Sequence, residues 1–160
     1  MASEKILTAE MIDAIKAYFP RYPSRQAVTL PALHIVNDKL KHVPLAAVVE
    51  VAELLGLAPA QVQDTLTFYG YFKQDQPHGR CRLWVCRSIS CALRGADELL
   101  DHLSHTLGVA PGETTPDSRV TLENAECLGA CEHAPCMLAD SQLVKSITNE
   151  QADQYVKALP

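Results

Sequence analysis

No stretch of the chain approaches the roughly 20 consecutive apolar residues that a membrane-spanning helix needs, so no direct membrane span is expected. Positive charge is scarce: 14 Lys and Arg stand against 19 Asp and Glu, a formal net charge of -5. A nucleic-acid binder would normally carry a basic face, and no nucleic-acid partner is expected. No G-x-G-x-x-G follows a strand-like run, and there is no phosphate-binding loop motif. No nucleophile supported by a base and a third group can be argued, so no catalytic residue is expected. Met1 to Thr8 lacks the long apolar run and the cleavage-like site of a signal peptide. Internal repeats and low-complexity tracts are absent as well. These gaps together describe a soluble protein of a reducing compartment. Six cysteines in that setting serve as metal ligands or free thiols more readily than as disulfides.

What remains is an ordinary globular composition, 48% hydrophobic and 21% charged over 160 residues, enough for one domain or two small ones. The first part reads as helical. Thr8 is a candidate N-cap for an apolar stripe, Met11, Ile12, Ile15 and Phe19, that stops before Pro20. Arg25 to Leu40 reads as a second helix, which Pro31 either kinks or starts. Pro44 suits the first turn of a third helix, with Leu45, Val48, Val49, Val51, Leu54 and Leu55 inward and Gly56 as its stop. Pro59 opens a fourth, with Val62 and Leu66 inward. Phe68-Tyr69-Gly70-Tyr71-Phe72 gathers aromatics, which either plug the base of the bundle or the seam between the domains, or dock a partner. Lys73 to Gly79 is the best linker.

The period changes at Arg80. Cys81, Leu83 and Val85 alternate with Arg82 and Trp84, as in a strand ending at Cys86. Ala96 to Leu107 reads as a helix with Leu99, Leu100, Leu103 and Leu107 on one face. Arg119 to Ala125 reads as a strand. Met137-Leu138 and Gln142 to Ile147 suggest a hairpin, and Thr148 or Asn149 caps a last helix, Glu150 to Leu159. The chain is therefore expected to be α+β, with a helical bundle over 1–76 and an α+β layer over 77–160.

Both candidate metal loops follow strands. Cys86 and Cys91 make a C-x4-C, and Cys127 and Cys131 make a C-x3-C after a 35-residue gap. Four thiolates in two short loops can hold a soft metal. Gly129 offers the backbone freedom and close N–H approach that a loop around sulfur needs. Spacing leaves a four-cysteine zinc site and a 2Fe-2S cluster both open, with a disulfide behind them. The remaining histidines, His34, His42, His78, His102 and His105, form no convincing metal pair. His102 and His105 fit a polar helix face.

The words around the cysteines carry more. Val85-Cys86 through Cys91-Ala92-Leu93-Arg94-Gly95, then Val120 through Glu126-Cys127-Leu128-Gly129-Ala130-Cys131 with Ala134-Pro135 behind, resemble the thioredoxin-like 2Fe-2S ferredoxin family. Leu30-Pro31-Ala32-Leu33-His34 and Thr67-Phe68-Tyr69 are similar to family words upstream, so the resemblance runs nearly the length of the chain. Members include the small iron–sulfur subunit of the NADH dehydrogenase module of complex I, and counterparts in NAD-dependent formate dehydrogenases and bidirectional hydrogenases. Two positions depart from the pattern. Cys136 stands where an apolar residue is usual, and His133 where asparagine is frequent.

The resemblance implies a thioredoxin-like domain after the helical bundle and one 2Fe-2S cluster. Cys86 and Cys91 would hold one iron, and Cys127 and Cys131 the other. Backbone N–H groups of Leu128, Gly129 and Ala130 would face the sulfurs. Arg87 and Arg94 would either raise the potential or lie solvated at the surface. Cys81 is expected to be a strand residue, Cys136 an apolar filler or a fallback ligand, and His133 a solvent-facing residue or a hydrogen-bonding partner of the cluster. It further implies an electron-transfer subunit of an NADH-oxidising complex. FMN and NADH would bind a partner flavoprotein that also carries a 4Fe-4S cluster. That complex would be cytoplasmic, soluble or held at the cytoplasmic side of a membrane. The counterpart subunit of a formate dehydrogenase or hydrogenase is the near alternative, and a zinc-stabilised interaction module the distant one.

Overall fold

The structure is a computed structural model that describes residues 5–159; residues 1–4 and 160, and with them half of the leader reading of Met1 to Thr8, lie outside the described residues. Two compact units emerge, one up to Pro77 and one from His78.

The first unit is helical. Helix α1 (Ala9–Lys16) is capped by the Thr8 side chain, which accepts from the Met11 N–H. Such caps satisfy one of the N–H groups that a first turn leaves without a partner. Helix α2 (Thr29–Leu40) begins later than its periodicity suggests, after a 3-10 turn over Gln26–Val28. Pro31 therefore lies in its first turn, where a missing N–H costs nothing. Helix α3 (Leu45–Leu55) follows Pro44 and ends at Gly56 with φ 69. Helix α4 (Pro59–Phe68) opens on its proline. Met11, Ile15, Val28, Leu33, Val36, Val48, Val51, Val62 and Leu66 form one apolar cluster.

One expectation fails here. Leu45 and Val49 point outward, at 63% and 37% exposure. Helix α3 is apolar nearly all round, so its period could not tell its covered face from the other. The aromatic segment divides between its two readings: Phe72 is buried in the bundle cluster, while Phe68 is 80% exposed and Tyr69 and Tyr71 are partly so.

The second unit carries a four-stranded sheet in the order β2-β1-β3-β4, built from β1 (Cys81–Cys86), β2 (Val120–Ala125), β3 (Met137–Ala139) and β4 (Gln142–Val144). Strands β1 and β2 are parallel, with Cys86 opposite Ala125. Parallel neighbours need a long crossover, supplied by the short helix α5 (Ile89–Ala92) and by α6 (Ala96–Leu107). Leu99 and Leu103 of α6 are buried with Leu83, Val85, Leu122 and Met137. Strands β3 and β4 form the closing hairpin, antiparallel to each other and, through β3, to β1. Helix α7 (Asn149–Ala158) ends the unit; Thr148 caps it, with Gln151 returning a bond to the Thr148 N–H. The expected elements are present, and α5 is an addition. Fold class is α+β, with helices beside a four-stranded sheet.

Alternation along β1 predicts one wet face, yet both faces are covered. Arg82 is 2% exposed and Glu123 4%. Their side chains meet at 2.6 Å, and the Arg82 guanidinium stacks over Trp84. Parallel strands tend to be covered on both faces, so the β1–β2 pair is drier than its alternation suggests. Removing one member of a buried pair strands a charge, whereas replacing both restores an apolar fit. Glu123→Leu is expected to lower the unfolding free energy by about 3–5 kcal/mol, and the double change Arg82→Met with Glu123→Leu should recover most of it. Urea unfolding of the single and double variants checks this.

Candidate metal centre

The two cysteine loops leave the same end of the sheet because β1 and β2 run parallel in register. Cys86 is the last residue of β1. The Arg87 N–H bonds the Ala125 carbonyl at 2.9 Å, and the Arg87 guanidinium reaches Glu126 at 2.6 Å across the mouth of the loops. That pair is exposed, so Arg87 ties the loop edges at the surface, in keeping with the solvated reading. Arg94 Nε donates to the Ala134 carbonyl at 3.2 Å.

From Cys86 the chain turns into α5, whose N-cap is Ser88. The Cys91 N–H bonds the Ser88 carbonyl at 2.8 Å, and the Arg94 N–H bonds the Cys91 carbonyl. This tight turn buries the Cys86 and Cys91 side chains. The second loop is open. Cys127 and Cys131 are exposed, with sulfurs 3.6 Å apart. Gly129 sits between them with φ 75, and its N–H donates to Cys127 Sγ at 3.4 Å. Leu128 packs against the apolar cluster of the unit, so the loop is anchored by one side chain and free at its two thiols.

Electrostatics join the loops. Burial pushes the Cys86 thiol up, but the N–H groups of Ser88 and Leu128, the Cys91 thiol and the Ser88 hydroxyl pull it below its ordinary value. Hydrogen bonds to a thiolate favour the ionised form that ligates metals. Leu128, in the second loop, thus lies near enough to favour the thiolate of the first. Burial raises the Cys91 thiol, as does its bond to Cys86, against an N–H and a thiol from Cys136. The Cys127 thiol raises Cys131 by hydrogen bond and by charge, the Ser90 hydroxyl opposes it, and Cys91 is near enough to add repulsion. Clustered thiolates repel one another unless a cation compensates them, and this donor set is a fit for a thiophilic metal group. Of the three N–H groups expected to face sulfur, Leu128, Gly129 and Ala130, that of Gly129 reaches Cys127 Sγ. The hydroxyls of Ser88 and Ser90 escape sequence reading, because neither lies in a ligand pair.

Cys136 sits at the centre, buried, with its sulfur 3.7 Å from Cys91 Sγ. Among the described residues, Cys86, Cys91 and Cys136 bring their sulfurs within 4.8 Å of one another. Burial, then Cys91, push the Cys136 thiol up to about 12. Cys81 lies at the far end of β1, raised to about 12 by burial and by Asp140, and takes no part. His133 is exposed, 3.7 Å from its neighbour Glu132. His102 pairs with Asp153 of α7, and His105 bonds its own helix.

A sheet of this topology, with cysteine loops at one end, defines a thioredoxin-like metal-binding domain. The model of the thioredoxin-like 2Fe-2S ferredoxin family matches residues 15–160, and the chain belongs to that family. A subunit of the NADH-quinone oxidoreductase of Rhizobium meliloti is 45% identical over 127 residues, 79% of this chain and 75% of that protein. NADH-quinone oxidoreductase subunit 2 of Thermus thermophilus is 35% identical over 150 residues, 92% of this chain and 82% of that protein. An NAD+-reducing nickel–iron hydrogenase structure superimposes with a TM-score of 0.70 at 23% identity, covering 81% of this chain and 22% of the hydrogenase chain; that likeness concerns the fold.

At Gly129 a Cβ would meet nothing within 4 Å, so only the left-handed backbone angle resists a side chain. Gly129→Ala is expected to fold with a loss of about 1–2 kcal/mol, and Gly129→Asn to lose less, since asparagine tolerates this region. Thermal unfolding of the three chains compares them.

Proposed function

We propose that the chain is the electron-transfer subunit of an NADH-oxidising complex, of the NADH-quinone oxidoreductase kind, and carries one 2Fe-2S cluster. One observation carries the reading. Two cysteine pairs, one buried and one exposed, sit in loops that leave the same end of the sheet on parallel, in-register strands. Cys86 and Cys91 would hold the inner iron, and Cys127 and Cys131 the outer one. A bound 2Fe-2S cluster supplies one-electron chemistry, with a potential set by hydrogen bonds to sulfur and by exposure.

The chain's own residues do the rest. The N–H groups of Leu128 and Gly129 and the hydroxyls of Ser88 and Ser90 offset negative charge at the ligand sulfurs. Burial of Cys86 and Cys91 keeps water from the inner side. Exposure of Cys127 and Cys131 leaves the outer side open for close approach of a redox partner. Beside them, Ile89 of α5 and Leu93, the residue that ends it, are 77% and 82% exposed. They lie one turn apart, so they share a helix face next to the loops. In the first unit Phe68, Tyr69 and Tyr71 are also open. Exposed apolar and aromatic side chains of this kind suit a protein interface.

In this reading the partner is a flavoprotein subunit that binds NADH and FMN and carries a 4Fe-4S cluster. The assembled complex is cytoplasmic or held on the cytoplasmic side of a membrane. No helix among the described residues is long and apolar enough to cross a membrane. The names of the relatives favour a quinone-reducing complex over a formate dehydrogenase or a hydrogenase, and co-purifying subunits separate the three.

Anaerobically purified chain is expected to hold about two irons and two sulfides and no zinc. After dithionite reduction it should give a rhombic paramagnetic resonance signal from one unpaired electron. One zinc, no colour and no signal would remove the redox function and leave the fold. Replacing Cys127 with serine should lower iron content and change the signal, while Cys81→Ser should alter neither. A strongly positive midpoint in a redox titration would contradict a carrier that accepts electrons from NADH.

A further inference from the structure

We propose that Cys86, Cys91 and Cys136 form a second metal site, for a soft d10 cation of the zinc class, which excludes the 2Fe-2S cluster because it uses two of the same sulfurs. The inference rests on the ligand set proposed above in that it treats Cys136 as outside the cluster.

Geometry makes the case. Strand β3 pairs with β1 in a register that sets Val85 opposite Met137. One step further along both strands brings Cys136 opposite Cys86, and the Cys86 N–H donates to the Cys136 carbonyl at 3.1 Å. The backbone therefore holds these two cysteines face to face before any metal arrives. Helix α5 delivers the third sulfur, with Cys91 Sγ 3.7 Å from Cys136 Sγ. All three sulfurs lie within 4.8 Å of one another. Zinc–sulfur bonds of about 2.3 Å in a tetrahedral arrangement place sulfurs about 3.8 Å apart. The triad is thus near the size of one face of a zinc–thiolate tetrahedron.

Its setting is also right for a compact cation. Cys86, Cys91 and Cys136 are each 1% exposed, so three thiolates there would be costly without a compensating charge. A divalent ion supplies that charge, displacing three thiol protons to solvent with no change of oxidation state. The fourth position is left to solvent or another small ligand. Cys127 and Cys131 are not needed, and their sulfurs stay paired in the open loop. A chain that has taken zinc in this way has only one cysteine pair left, so it cannot accept a cluster until zinc leaves. Cys136 then decides which metal the empty pocket favours.

The test uses the full-length chain, freed of cluster and kept anaerobic, with zinc affinity measured by competition against a chromophoric chelator. Loss of an outer-shell partner alone costs a metal site about 10- to 100-fold. Loss of a ligand in Cys136→Ala or Cys136→Val should therefore weaken zinc at least about a hundredfold. The valine variant keeps the pocket filled should alanine fail to fold. The Cys127→Ala, Cys131→Ala double variant should bind zinc as the parent does. Zinc added first should slow rebuilding of the cluster from iron and sulfide in the parent and not in Cys136→Val. Unchanged zinc affinity in the Cys136 variants would overturn the proposal. So would loss of zinc from the double variant, which would place the ion on the four cluster cysteines. Iron content is the separate readout. Full iron in Cys136→Val upholds the cluster ligand set, and halved iron would overturn that set while leaving the three-thiolate zinc site standing.

Discussion

The parallel pairing of β1 with β2 is the constraint on which the rest of the second unit depends. With Cys86 opposite Ala125, both strands finish at the same level, and each hands its chain to a cysteine loop there. An antiparallel pair would have sent the loops to opposite ends of the sheet. Parallel pairing in turn requires a crossover, and α6 meets that need while burying Leu99 and Leu103 over the strands. The site is a consequence of how the core is closed. Its ligands need no structure of their own beyond two short turns.

The two loops are unlike each other, and that asymmetry is their chemistry. The first is wound into α5, so its sulfurs are covered and its main-chain donors point inward. The second is held by one apolar side chain, Leu128, and keeps Cys127 and Cys131 in solvent. A metal group held across both loops, as proposed, would be insulated on one side and accessible on the other. Such an arrangement suits an electron carrier, which must hold charge in a protected setting and still pass it over a short distance. The thiols also act on one another. Cys86 is favoured as thiolate by four donors, while Cys91 is disfavoured by burial and then by Cys86, and Cys131 by Cys127. Without a cation the group cannot all ionise, which links metal binding to proton release.

The helices of the first unit share one apolar cluster, yet leave Leu45, Phe68 and Tyr69 open. A monomer gains nothing from exposing residues of this size.

The local elements were legible in the residues alone. Thr8 and Thr148 cap the helices they precede, Gly56 stops α3, and the strand period marks β1, because each depends on a few neighbours along the chain. The two cysteine pairs and Gly129 between the second were legible for the same reason. Only the tertiary structure decided that Arg82 and Glu123 neutralise each other in a covered layer, which face of α3 is buried, and that Cys136 lies across from Cys86. The two contacts in the sheet follow from strand order and register, which join residues 41 and 50 positions apart, the α3 face follows from how the helices pack, and no local period encodes any of them. Cys136 reads in the sequence as a departure from a pattern, and in the fold it becomes the third sulfur of a triad.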